Sequence, residues 1–200
     1  MVVAATGPSL SPEVAEACAG RKVLAVNNAY RLFPWAEVLY ACDAAWWNVH
    51  HGCPGFAGEK WSSHGAAGRI KHNDKSAAAE KYGLKLVAGR DGEGFSFEPD
   101  VIHYGSNSGF QAINLALLMG SRRIILVGFD MGCPNGRRHF FGDHPPGLRN
   151  ATSYQNFIRA FERAAKPLPP GIEILNATPG SALRCFPMVT LNDALAAFAA

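Results

Sequence analysis

The chain lacks any apolar run of the roughly 20 residues that a membrane-spanning helix needs. Its N-terminus lacks the basic start and extended apolar core of a secretory signal, so a soluble, cytoplasmic protein with no transmembrane segment is expected. There is no Cys-x-x-Cys: Cys18, Cys42, Cys53, Cys133 and Cys185 are odd in number and scattered, the pattern of reduced thiols rather than of a structural zinc site. The Gly-x-Gly-x-x-Gly dinucleotide fingerprint is missing, as are internal repeats and low-complexity tracts. Charge is scarce, at 18% of residues with a net of +3, which is far from the basic stripe of a nucleic-acid binder yet compatible with an anionic substrate. What remains is a 200-residue chain, 48% hydrophobic, that reads as one globular domain over 1–200. The sequence leaves the oligomeric state open, a homo-oligomer included.

The most informative stretch is 105–130. Gly105-Ser106-Asn107-Ser108-Gly109 is a small polar loop, with Asn107 or Ser108 able to cap a following helix. Phe110, Ile113, Ala116, Leu117 and Met119 keep near-helical spacing, and Gly120 suits a helix end. Ile124-Ile125-Leu126-Val127 is a continuous apolar run, as in a strand covered on both faces, and it delivers Gly128-Phe129-Asp130 at its C-terminal end. A helix start with unpaired N–H groups, beside the carboxyl ends of parallel strands, is where open α/β sheets hold phosphates.

Earlier strand ends repeat the theme. An apolar strand over 2–6 runs into Gly7-Pro8-Ser9-Leu10, and Ser11-Pro12-Glu13 then opens a helix to about residue 19. A second strand over 22–26 ends on Asn27-Asn28, and a third over 37–42 ends on Asp43, which also fits the N-cap of a Trp-rich helix over 44–51. Gly7, Pro8, Ser9, Asn27, Asn28 and Asp43 are therefore candidates for one rim. Residues 52–104 read as a loop-rich insertion, with a helix near 75–82, a strand near 84–87 and a turn over 90–94. His50, His51, His64 and His72 show no metal-ligand spacing and read as surface residues.

Residues 131–150 form a long loop holding His139, His144, Asp143, Arg137, Arg138 and Arg149, with Phe140 and Phe141 between Gly and Pro. Histidine acts as acid or base near neutral pH, and arginine holds phosphate oxygens, so this reads as an active-site loop. An amphipathic helix over 152–165, a last strand over 171–176, a turn over 177–183 containing Ser181, and a helix from 190 complete the chain. The fold class expected is α/β: a single Rossmann-like domain whose mostly parallel sheet carries helices on both faces.

Gly7-Pro8-Ser9-Leu10 after a strand, Asn27, Ser108-Gly109, Gly128-Phe129-Asp130, Gly142-Asp143-His144 and Asn176-Ala177-Thr178-Pro179-Gly180-Ser181-Ala182-Leu183 resemble the bacterial CMP-sialic-acid-dependent sialyltransferases of the Campylobacter type. The related MptE-like proteins, which include archaeal 6-hydroxymethyl-dihydropterin diphosphokinases, share much of this skeleton. The resemblance implies a cytidine nucleotide at the strand ends, contacted by Asn27, Asn107, Ser108, Gly109 and Asp130, with His144 as general base. Thr6 stands where those transferases have asparagine, and Arg137 or Arg138 stands in for their phosphate-holding tyrosines. The expected function is transfer of a sialic-acid-like sugar from a nucleotide donor, with no further cofactor, to a small-molecule or glycan hydroxyl. His144, or His139, takes the proton; Gly128 and Ser181 complete the nucleotide-binding set; no resident metal is expected. The alternative is Mg²⁺-dependent pyrophosphoryl transfer from ATP to a hydroxymethyl substrate, with Asp43 and Asp130 on the metal. A third reading is a non-catalytic nucleotide-binding protein.

Overall fold

Short apolar strands covered on both faces need helices above and below them, and the chain supplies both. The structure, a computed structural model, describes residues 1–65, 76–148, 150, 154–166 and 168–197. Along it run β1 (Val2–Ala4), α1 (Pro12–Ala17), β2 (Val23–Val26), β3 (Val38–Tyr40), α2 (Ala44–Val49), β4 (Glu59–Gly65), α3 (Ser76–Tyr82), β5 (Lys85–Arg90) and β6 (Val101–His103). Then follow α4 (Ser108–Leu118), β7 (Arg123–Val127), α5 (Gln155–Ala165), β8 (Glu173–Asn176) and α6 (Leu191–Ala197), with 3-10 turns at Asn27–Arg31 and Pro134–Gly136. Among the described residues no helix is long and apolar enough to cross a membrane.

Among the described residues eight strands form one sheet in the order β6-β5-β4-β3-β2-β1-β7-β8, every neighbouring pair parallel. The chain steps outward from β1 to β6, then returns to lay β7 on the other flank of β1. β1 and β7 are therefore the point where the winding reverses, the crevice in which open α/β sheets bind ligands. Alternation along the strands sends Val2 and Ala4 of β1 to one core and Val3 to the other. The first core gathers Ala15 of α1, Trp46 and Trp47 of α2, Ala78 of α3, and Ala194 and Leu195 of α6. The second gathers the buried apolar residues of α4 with Ala160, Phe161 and Ala164 of α5. The structure is thus the expected Rossmann-like α/β domain with helices on both faces.

The local signals at 11–13 and 105–108 act as expected. Ser11 Oγ accepts from Val14 N–H with Pro12 in the first turn of α1, and of the two candidate caps of α4 it is Asn107 that accepts from Phe110 N–H. In the stretch 52–104 the expected helix and strand are α3 and β5, but it departs from a loop-rich insertion in also supplying β4 and β6, so that three of the eight described strands lie there. β4 has no apolar run because its buried residues are Ser62 and Ser63, which donate to Ala41 O (2.7 Å) and Gln111 Oε1 (3.2 Å). Burial there is satisfied by hydrogen bonds, which hydrophobic periodicity does not register. β6 is held from α4 by Asn114, whose Oδ1 accepts from Ser96 N–H and His103 N–H (both 2.9 Å) and whose Nδ2 donates to Ser96 O (2.8 Å). Asn114→Leu leaves these backbone groups unpaired in the core and is expected to lower stability by about 2–4 kcal/mol, read as a fall in the urea midpoint with unchanged slope.

Candidate functional site

The carboxyl ends of β1 and β7 are laced together. Ala5 N–H donates to Val127 O (2.9 Å) and Gly7 N–H to Gly128 O (2.8 Å). Asp130 accepts from Ser9 twice, from the backbone N–H (3.0 Å) and from Oγ (2.8 Å). The approach is close enough that a Cβ on Gly7 would overlap Asp130 Oδ2 and lie 2.6 Å from Gly128 O. Gly128 itself has φ 72°, a conformation that disfavours side chains. Burial pushes the Asp130 carboxyl above its ordinary range, against the two Ser9 bonds that favour its charge.

Around this clamp opens a cleft of about 1210 Å³ at the strand ends. Of the candidate residues, Gly7, Asn27, Asp43, Asn107, Ser108, Gly109, Gly128, Asp130, Arg138, His139 and His144 line it together. Pro8, Ser9, Asn28, Arg137 and Ser181 do not. Ser9 is occupied by Asp130. Asn28 is buried and accepts from Trp46 Nε1 (2.7 Å), while its neighbour Asn27, at φ 48°, stays on the cleft. Ser181 is fully buried, donates to Phe129 O (2.6 Å) and accepts from Asn176 Nδ2 and Leu183 N–H, so it braces the strand end behind the site. Arg137 is exposed and donates to Phe140 O.

Asp43 sits at the N-cap position of α2, yet its side chain makes no capping bond; it is exposed on the cleft and accepts from Cys42 Sγ (3.4 Å). Cys42 in turn accepts from Ser108 Oγ (3.0 Å), joining the end of β3 to the start of α4. With Asn107 serving Phe110, the N–H groups of Ser108 and Gly109 have no acceptor among the described residues and carry the positive end of an 11-residue helix. A Cβ on Gly109 would come within 2.9 Å of Phe129.

The loop over 131–150 closes the opposite wall. Phe140 N–H donates to Thr6 O (3.0 Å), and His139 Nδ1 lies 3.0 Å from Thr6 Oγ1, so the loop is pinned to the end of β1. Phe141 stacks on His139 at 5.0 Å, and His144 lies 4.7 Å from His139 and 5.2 Å from Phe141 by ring centroids. His139 Nε2 and His144 Nδ1 are buried without a hydrogen-bond partner. Burial pushes His139 down to about 4, with help from His144, and lowers His144 against the pull of Asp143 and Asp43. Both rings are neutral at neutral pH and able to accept a proton. Arg138 makes two bonds to Asp143 (3.0 and 3.1 Å). Among the described residues no group of three or more His, Cys, Asp or Glu is placed to hold a metal ion.

One further residue joins the site without a signal that sequence reading would catch, and one histidine departs from its expected place outside the lining. Tyr154, expected on the apolar face of a helix, lies before α5 on the cleft and accepts from Cys133 Sγ (3.5 Å). His50, expected at the surface, is half-buried 4.3 Å from Trp46 with Nε2 unpartnered, and burial pushes it down to about 4. His51 and His64 are exposed, and His72 and Arg149 lie outside the described residues.

No protein-family model, no curated protein and no solved structure matches this chain.

Removing the clamp hydroxyl in Ser9→Ala leaves one Asp130 oxygen short of a donor, and a loss of about 1–3 kcal/mol is expected in urea unfolding. The histidines add a pH dependence. The unfolded chain takes up protons near 6.5, whereas folded His139 and His50 take them up near 4, so protons favour unfolding across that window. Stability is expected to fall as pH drops from about 6.5 to about 4, and the His139→Gln/His50→Gln double variant to flatten that part of the profile.

Proposed function

We propose that this protein transfers a glycosyl group from a nucleotide donor to an acceptor hydroxyl, with His144 as general base. The observation that carries the reading is the placement, in one cleft at the β1/β7 reversal, of neutral histidines and the open first turn of α4. In this scheme the acceptor oxygen bonds to the anomeric carbon as the carbon–oxygen bond to phosphate breaks. His144 receives the hydroxyl proton, and the bonding pair leaves on the nucleotide phosphate. The Ser108 and Gly109 N–H groups meet that developing charge. His144 suits the role better than His139, whose Nδ1 is taken up by Thr6 and whose Nε2 is buried.

The charge of the cleft favours a donor that leaves as a nucleoside monophosphate. Arg138, the cationic residue described in its lining, is already paired with Asp143. The pyrophosphokinase alternative calls on Asp43 and Asp130 for Mg²⁺, but both Asp130 oxygens accept from Ser9. The likeness of the strand-end motifs to CMP-sialic-acid-dependent transferases supports the same choice and suggests CMP as leaving group and a sialic-acid-like sugar.

Thermal scanning with CMP, CDP and ATP, each with and without Mg²⁺, tests this. CMP at about a hundred times its Kd is expected to raise Tm by roughly 5–10 °C without metal. A shift only with ATP and Mg²⁺ transfers the assignment to the pyrophosphokinase, and no shift with any nucleotide overturns both. His144→Ala is expected to keep the CMP shift while losing about 10²–10⁴-fold in turnover of a CMP-sugar.

A further inference from the structure

Arg31 closes the 3-10 turn Asn27–Arg31, whose first residue lines the cleft, and is itself outside the lining. Its guanidinium carbon lies 6.0 Å from the centroid of Phe141. Phe141 is the ring that stacks on His139 and touches His144, and it meets Phe140 edge-on at 5.1 Å. Phe140 packs on the core, so the loop is anchored at its base, while its outer ring is in contact with a cation from another element. His50, the C-cap of α2, packs against Trp46 and Tyr30.

We propose that Arg31 is a positioning residue for His144, its seat on Phe141 holding the 139–144 segment against the cleft. The proposal rests on the role given to His144 above. A weakly hydrated guanidinium is held on an aromatic ring more readily than a compact, strongly hydrated ammonium, and its fixed charge discourages protonation of neighbouring imidazoles. The charged groups acting on His144 are Asp143, Asp43 and Arg31, with His139 at 4.7 Å between ring centroids; those acting on His50 are Arg31, His144 and His51. Arg31 lowers both His144 and His50, after burial as the leading cause for each. One residue thus acts on the base twice, through its contact with the Phe141 ring and through its charge.

The two actions separate experimentally in the ligand-free, full-length protein. Arg31→Ala is expected to speed tryptic cleavage after Arg137 and Arg138 about two- to fivefold, the loss of one exposed cation–aromatic contact, and to move the NMR titrations of His144 and His50 upward. Arg31→Lys keeps the charge but exchanges the guanidinium for a strongly hydrated ammonium that holds the ring less well, so cleavage rises while the titrations stay near wild type. Phe141→Leu, with Arg31 in place, is expected to match Arg31→Ala in cleavage. Wild-type cleavage and unshifted titrations in Arg31→Ala overturn the proposal, as does an equal effect of Arg31→Lys on both readouts. Neither readout uses a nucleotide or a sugar, so failure of the glycosyl-transfer reading shows in the thermal scans and not here.

Discussion

The site depends on one contact between strand ends, the double acceptance by Asp130 of the Ser9 N–H and hydroxyl. A carboxylate withdrawn from water is destabilised, and the two short bonds offset that cost only because β1 and β7 run side by side in register. Other segments then converge on the same point. Ala182 N–H donates to Asp130 O, Thr178 Oγ1 accepts from Phe129 N–H, and the histidine loop hangs from Thr6. Glycine at 7 and 128 is the steric condition for this convergence.

That convergence divides the polar residues at the strand ends into two kinds. Ser9, Asn28 and Ser181 satisfy the protein's own buried groups, and their hydroxyl or amide oxygens are no longer open to a ligand. Asn27, Asp43, Ser108 and Gly109 face the cleft. Adjacent residues fall on opposite sides of the division because a turn reverses side-chain direction within one step, as at Asn27 and Asn28.

The electrostatics of the cleft follow from crowding rather than from strong charge. The two half-buried histidines of the cleft, His139 and His144, are kept neutral mainly by loss of water, while Arg138 and Asp143 cancel one another at the rim. Polar but weakly charged walls leave the open first turn of α4 as the positive dipole end on the cleft, beside imidazoles that are unprotonated at neutral pH.

The α/β class, strands near 2–6, 22–26, 37–42, 84–87, 124–127 and 171–176, a cap at Asn107 or Ser108 and the cleft positions of Asn27, Asp43, Asn107–Gly109, His139 and His144 were legible in the sequence. Each rests on local chemistry: a run of apolar residues, a capping side chain, or a polar residue at a strand end. Tertiary structure alone decided the rest. β4 was hidden because Ser62 and Ser63 are buried by hydrogen bonding to Ala41 and to Gln111, 48 residues from Ser63. The inward turn of Ser9 depends on a carboxylate 121 residues away, and His50 is drawn in from the surface by packing on Trp46 and Tyr30. The stretch from 105 to 130 announced a helix start that attracts anions. Which groups surround that helix start is a matter of strand order, and strand order is set by contacts distant in sequence.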